Sequence, residues 1–208
     1  MGRSEGDGLK FLFDILLSAA GLILSSPLGL LIALAIKWED GGPLFYAQER
    51  VGKEGRFFRA YKFRSMVPNA EEGTGPLQAA YEDPRTTRIG RLLRATAMDE
   101  LPQLWSILKG DMSFVGPRAL RPQEIEVNTD GEAIPLESIP GYQERLKVRP
   151  GLTGIAQVYA PRNLPRCHKF RYDLLYIKRR SFWLDLKLIL ASFWITARGR
   201  WESEEDKI

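Results

Sequence analysis

From residue 15 to residue 36 the chain reads ILLSAAGLILSSPLGLLIALAI, 22 residues without a charge. As a helix this run is long enough to cross a bilayer core of roughly 30 Å. A cleaved signal has a shorter apolar core and a small-residue cleavage site. Lys37 and Trp38 close this segment instead, so it reads as a retained membrane anchor. Ser25, Ser26 and Pro27 stand at its midpoint. Pro27 has no N–H to donate and its ring meets the carbonyl of Ile23, so the helix is expected to kink or break at Ser26-Pro27. The serine hydroxyls can bond the backbone groups that this frees. Two halves of about eleven residues are each too short to span. A sharp bend would return the chain to the side it entered from, whereas a gentler one would leave an ordinary kinked spanning helix. Arg3 and Lys10 before the run balance Lys37 after it, so flanking charge chooses no orientation.

The rest has the composition of a folded domain. Of 208 residues, 44% are apolar and 27% charged, enough for one domain with a real core. The expected division is an anchor over residues 1–38 and a catalytic or binding domain over 39–208. A net charge of +4 fits phosphates, acidic lipids or nucleic acid without choosing among them. Cys167 is the only cysteine, which rules out an intrachain disulfide and Cys-based zinc sites. A reducing, cytoplasm-facing location is therefore the default. His168 is the only histidine and has no neighbour that suggests catalysis.

Periodicity supplies the local structure. Residues 44–49 and 56–63 alternate around GKEG, predicting a β-hairpin. Breakers make 68–87 a loop, and helical patterns follow over 87–94 and 99–109. KGDMSFVGPR (109–118) reads as a turn, a short extended piece and a loop. Residues 128–141 read as irregular, and RPGLTG (149–154) as a second glycine-rich turn. Over 181–196, Phe182, Leu186, Ile189, Leu190, Phe193 and Trp194 recur at helical spacing, with Asp185, Lys187 and Ser192 largely on other faces. Trp183, Trp194 and Trp201 beside Arg198 and Arg200 suit a membrane headgroup region, although a core helix shows the same period. The expected class is α+β, mainly helical.

Several common sites are absent from the sequence: a phosphate-binding GxxxxGK[ST] loop, GxGxxG, HExxH, GxSxG and a DxD pair. What stands out is ATAMDELPQLW (95–105), two adjacent carboxylates among many cations. Arg94 falls about one helical turn before Asp99. Lys62 and Arg64 come from the hairpin, Arg118 and Arg121 from the glycine-proline loop, and Arg145, Lys147 and Arg149 precede the second glycine-rich turn. Guanidinium forks bind phosphate bidentately and lysine serves as a point charge. Asp99 also reads as a helix N-cap, because Pro102 is tolerated in a first turn and the macrodipole favours acids there. The two readings are compatible, since a carboxylate at a helix start stays ionised and can act as a nucleophile or metal ligand.

YKFRSM, DELPQLWSILKGDMSFVGPR, VRPGLTGIAQV and FWLDLKLIL, in this order behind an SSP-broken anchor, resemble the monotopic phosphoglycosyl transferases, the bacterial sugar transferase family. The likeness runs from about residue 9 to 197 and is to the minimal form with a single anchor. It implies a re-entrant N-terminal membrane helix, amphipathic interfacial helices and a small cytosolic catalytic domain, with both termini at the cytoplasmic face of the cell membrane. The implied activity is transfer of a sugar phosphate from a UDP-sugar to polyprenol (undecaprenyl) phosphate, with release of UMP. This would be the first membrane step of glycoconjugate or exopolysaccharide synthesis, ahead of downstream glycosyltransferases. By the resemblance Asp99 is the nucleophile and a Mg²⁺ ligand, and Glu100 an assisting acid/base or metal-site residue. Lys62 and Arg94 match basic active-site residues, Pro117 and Arg118 the nucleotide motif, and Arg149 a phosphate or sugar contact. The chain departs from the family after AQV, where it reads YAPRNLPRCHKF (159–170). The rival reading is a non-catalytic anchored scaffold that binds anionic lipids. Nucleic-acid binding fits poorly, because the anchor opposes it and no base-stacking or groove-reading motif is present.

Overall fold

The uncharged run lies within one long helix, α1 (Glu5–Asp40), which is long and apolar enough to cross a membrane. A computed structural model describes residues 5–70, 83–122, 124–127, 133–161, 163–201 and 203. Helical backbone continues through Pro27, so the expected break is not a gap between two helices. Ser26 Oγ donates to Ile23 O at 2.8 Å, serving the carbonyl that Pro27 cannot.

One side of α1 packs on the rest of the chain along most of its length. Lys10 Nζ lies 2.5 Å from Asp185 Oδ2, and Asp14 accepts from the Phe114 amide at 3.1 Å. Phe13 meets Phe182 edge to face. Gly21 approaches Leu104 so closely that a Cβ would lie 3.2 Å from its side chain. Further on, Ile32 and Ile36 are buried with Phe63 and Leu93. At the C-terminal end Glu39 accepts from the amides of Arg88 and Ile89, and Asp40 holds the Arg64 guanidinium. The opposite side exposes Leu16, Ile23, Leu30 and Leu31.

The hairpin forms as expected, with β1 (Phe45–Val51) antiparallel to β2 (Phe57–Phe63) and Tyr46 opposite Lys62. Its turn places Glu54 at φ 59° and Gly55 at φ 75°. Helix α2 (Arg88–Ala95) starts at Thr87, whose hydroxyl accepts from Gly90 N. A Cβ on Gly90 would sit 1.9 Å from the Ser65 carbonyl, so only glycine lets α2 lie against the end of β2.

The predicted helix over 99–109 is two pieces, a 3₁₀ segment (Met98–Gln103) and α3 (Leu104–Leu108). Asp99 is not an N-cap. That position belongs to Ala97, in the left-handed region at φ 54°, and Asp99 lies inside the first turn. The extended piece of 109–118 is β3 (Ser113–Val115). Part of the stretch expected to be irregular is ordered: β4 (Ile125–Val127) pairs with β5 (Ala133–Pro135), while residues 128–132 lie outside the described set. Most of the loop expected at 68–87 also lies outside it.

After α4 (Tyr142–Arg145) the second glycine-rich turn contains a strand, β6 (Gly151–Thr153), parallel to β3. Three helices complete the chain: α5 (Ile155–Tyr159), α6 (Arg166–Arg179) and α7 (Phe182–Arg198). α7 begins where periodicity placed it, with the Ser181 hydroxyl accepting from Leu184 N. Its faces need correction. Asp185 is buried and accepts from the Tyr176 hydroxyl at 2.8 Å, and Ser192 meets Thr153. Trp183 is 70% and Phe193 65% exposed, with Leu190 and Trp194 also outward. Asp185 and Ser192 thus face inward with Leu188, Ile189 and Ile195, whereas Lys187 stays exposed as expected and the aromatic groups face out. The main core gathers Ile107, Met112, Val115, Val158, Tyr176, Leu188 and Ile195 beneath these elements.

Candidate active site

Three short elements bring the carboxylates and cations together. The left-handed turn at Ala97 ends α2 and starts the 3₁₀ segment, placing Asp99 and Glu100 one turn beyond Arg94. β2 contributes Lys62, and the loop after β3 contributes Arg118. Lys62 Nζ donates to Glu100 Oε1 and lies 3.9 Å from Asp99 Oδ2. Arg118 donates to the same Glu100 oxygen at 3.0 Å. Asp99 is 7% exposed and accepts no hydrogen bond among the described residues.

The two carboxyls therefore differ. Burial pushes the Asp99 carboxyl up to about 6; Lys62 pulls it down and the Glu100 charge pushes it up further. Burial acts on Glu100 in the same sense, but Lys62 and Arg118 more than offset it and hold that carboxyl well below the usual range. At neutral pH Glu100 is a fixed anion neutralised by two cations. Asp99 is ionised at that pH and has few partners, so its oxygens are open to an electrophile or a cation.

Lys62, Arg94, Asp99, Glu100 and Arg118 all line one cavity of about 1290 Å³. This is larger than the roughly 300–1,000 Å³ of ordinary small-ligand pockets. One wall is basic, with Arg50, Arg121 and Arg145 beside Arg118. Another is apolar, with Leu17, Leu24 and Leu28 of α1 and Phe193 of α7. Ser25 also lines it, whereas Ser26 and Pro27 are exposed on α1 and do not. Arg50 was absent from the candidates read from sequence, yet strand alternation could have found it. Tyr46, Gln48 and Arg50 share a hairpin face with Lys62, and all four line the cavity. Burial draws the Arg50 guanidinium down to about 10, and the charges of Arg118 and Arg121 act the same way. Such crowding of positive charge is what an anion relieves.

Pro117 and Arg149 lie outside the cavity lining. Pro117 O accepts from Gly151 N at 2.8 Å, so its segment is clamped to β6. Arg149 contacts α1: its guanidinium is 3.3 Å from Asp14 Oδ2 and stacks over Phe11. Sequence grouped it with the phosphate-binding cations because Asp14, 135 positions away, could not be placed beside it.

Known proteins similar to this chain include sugar-phosphate transferases and an exopolysaccharide production protein. Residues 6–199 match the family model described as bacterial sugar transferase. A UDP-glucose:undecaprenyl-phosphate glucose-1-phosphate transferase of Klebsiella pneumoniae is 43% identical over 185 residues, 86% of this chain and 38% of that protein. A UDP-N-acetylgalactosamine-undecaprenyl-phosphate N-acetylgalactosaminephosphotransferase of Aeromonas hydrophila is 44% identical over 179 residues, 85% of this chain and 40% of that protein. The exopolysaccharide production protein PSS of Rhizobium leguminosarum is 39% identical over 189 residues, 88% of this chain and 92% of that protein. The chain thus spans less than half the length of the first two relatives.

Proposed function

Since the chain belongs to the bacterial sugar transferase family, we propose that it moves a sugar-1-phosphate from a UDP-sugar to undecaprenyl phosphate or a similar polyprenol phosphate at a membrane surface. The observation that carries this reading is the buried Asp99, ionised beside a neutralised Glu100, in a cavity with one basic and one apolar wall. The basic wall suits a diphosphate and the apolar wall a lipid.

In this mechanism an Asp99 carboxylate oxygen attacks the phosphorus that bears the sugar. The bond from that phosphorus to the UMP oxygen breaks, and UMP leaves with the electron pair. A phosphate oxygen of the polyprenol phosphate then attacks the same phosphorus and expels Asp99. Lys62, Arg94 and Arg118 hold the phosphates and offset the charge that develops there. Of the two carboxylates, Asp99 is the one that could hold a Mg²⁺ ion, since Glu100 is taken by Lys62 and Arg118. Among the described residues no three His, Cys, Asp or Glu gather into a metal cage. Asp99 has an oxygen to offer, and phosphate oxygens would complete the shell. When bound, the ion would neutralise diphosphate charge and ease the departure of UMP. The direct test supplies UDP-sugars, Mg²⁺ and undecaprenyl phosphate in detergent and measures UMP. Release from at least one donor, lost on chelation by EDTA, is expected; no release from any donor sinks the reading.

A pH dependence follows from Asp99. Its carboxyl titrates near 6, so acidification through that value protonates the nucleophile. Single-turnover UMP release should be flat above about pH 7 and fall toward tenfold per unit below about pH 6. A rate unchanged down to pH 5 would remove Asp99 from the role.

The same reading makes α1 re-entrant, with both termini on the cytoplasmic side. Both halves of α1 pack on one domain, from Phe13 and Asp14 to Ile32, Ile36 and Asp40. The stretch between the contacts at Leu22 and Gly29 is far shorter than the roughly 20 residues a span requires. In a Cys167→Ser background, single cysteines near each terminus should both resist a membrane-impermeant maleimide in intact cells. Labelling of one terminus alone would establish a spanning helix.

A further inference from the structure

Arg118 reaches Glu100 from a loop whose backbone is held at four consecutive carbonyls. Pro117 O accepts from Gly151 N at 2.8 Å, and Leu120 O accepts from Val51 N at 2.9 Å. Between them, two guanidiniums take the places that strands would otherwise fill. Arg145 Nη2 donates to Arg118 O at 2.7 Å, and Arg50 Nη1 donates to Ala119 O at 2.9 Å. Arg145 is itself locked. Its Nε donates to Asp173 Oδ2 at 2.8 Å, its plane lies 4.2 Å from the centre of the Phe170 ring, and it is 5% exposed. Asp173 is 3% exposed.

Resting on the proposed function, we infer that Arg145, oriented by Asp173, is a positioning residue that sets where the Arg118 guanidinium meets Glu100 and the donor diphosphate. An ion pair kept only for stability needs no third partner, and well-packed apolar side chains often replace such pairs without loss. Here the fork of Arg145 spends one arm on Asp173 and another on the backbone of a cavity arginine. Lysine cannot reproduce this, because its ammonium is a single point and not a planar fork. The pair also links α6, whose first residues lie within the divergent 159–170 stretch, to the carboxylates. The route runs from Asp173 through Arg145 to the Arg118 backbone, and from the Arg118 side chain to Glu100.

The test is a double-mutant cycle on the full-length protein in detergent, read by single-turnover UMP release as a function of UDP-sugar concentration. Arg145→Lys keeps a charge for Asp173 and loses the second arm. It should melt close to wild type, raise the half-saturating UDP-sugar concentration about tenfold, and change the plateau rate less. Combined with Arg118→Ala, it should add little to the effect of Arg118→Ala alone, because both act through one guanidinium. Arg145→Met/Asp173→Leu removes both charges and serves if the lysine variant folds poorly. It should show the same non-additivity with Arg118→Ala. Wild-type saturation in a folded Arg145 variant, or effects that multiply with those of Arg118→Ala, would overturn the inference. Absence of UMP release from the wild-type protein would instead overturn the proposed function.

Discussion

Asn in place of Asp99 is expected to abolish UMP release while leaving the protein folded and somewhat more stable. Asparagine keeps the shape of the side chain but cannot attack phosphorus, so single-turnover UMP release should fall by about 10⁴-fold or more, as for other enzymes stripped of a nucleophile. Intact-mass measurement after incubation with UDP-sugar alone should show a phosphosugar adduct on the wild type and none on the variant. A scaffold that merely bound anionic lipids would be indifferent to the change. The stability arm follows from the carboxyl itself. Burial raises it from 3.8 to about 6, so the folded state binds this proton more tightly than the unfolded state does. Its contribution to stability is therefore greatest below the unfolded value and is lost as pH rises through the folded one. At pH 7 the folded protein carries the full cost of the buried charge, and the amide removes it. A melting temperature a few degrees above wild type at pH 7, with the gain gone near pH 4, is the expected calorimetric signature. A variant that melts lower at pH 7 would show that the Asp99 charge supports the fold.

The second large effect falls on the backbone crossing that carries Arg118. A Cβ at Gly151 would lie 2.0 Å from Gly116 N and 2.4 Å from Thr153 O, both main-chain atoms of the β3–β6 region. A Cβ on Gly116 would likewise lie 2.5 Å from the Arg149 carbonyl, and one on Gly154 2.4 Å from the Gly116 carbonyl. Neither chain can retreat without breaking the bonds from Gly116 N to Thr153 O and from Gly151 N to Pro117 O. Gly151→Ala should therefore cost about 3 kcal/mol or more and lower the melting midpoint by about 6–12 °C for a chain of this size. UMP release should be lost with it, since Arg118 would be carried out of reach of Glu100. Scanning calorimetry and the UMP assay check both. A melting point within a degree of wild type would mean that the two glycine-rich segments do not cross this closely.

Where a period or a short-range partner sufficed, sequence and structure agree. The hairpin, α2 and α7 follow from alternation and helical spacing, all legible within a dozen residues. The carboxylate pair and the cations Lys62, Arg94 and Arg118 were likewise visible as chemistry. Most disagreements come from partners that are distant along the chain. β6 read as a turn because three residues become a strand only beside β3, 38 positions earlier. Asp185 read as a polar-face residue because nothing local announces that Lys10 and Tyr176 receive it. Asp99 read as a cap because a left-handed Ala97, which moves the helix start back to that residue, has no sequence signature.

The sequence by itself determined that this chain carries an apolar helix with a proline in its middle, a basic hairpin, and a carboxylate pair amid arginines. These follow from local sterics, side-chain period and composition, none of which needs a third dimension. Only the tertiary structure decided which cations serve the pair. It put Lys62 and Arg118 on Glu100, left Asp99 with little but its burial, and sent Arg149 to Asp14 on α1. The reason is physical: a buried charge is governed by the few groups within a few ångströms of it, and those groups arrive from segments that the chain order keeps apart.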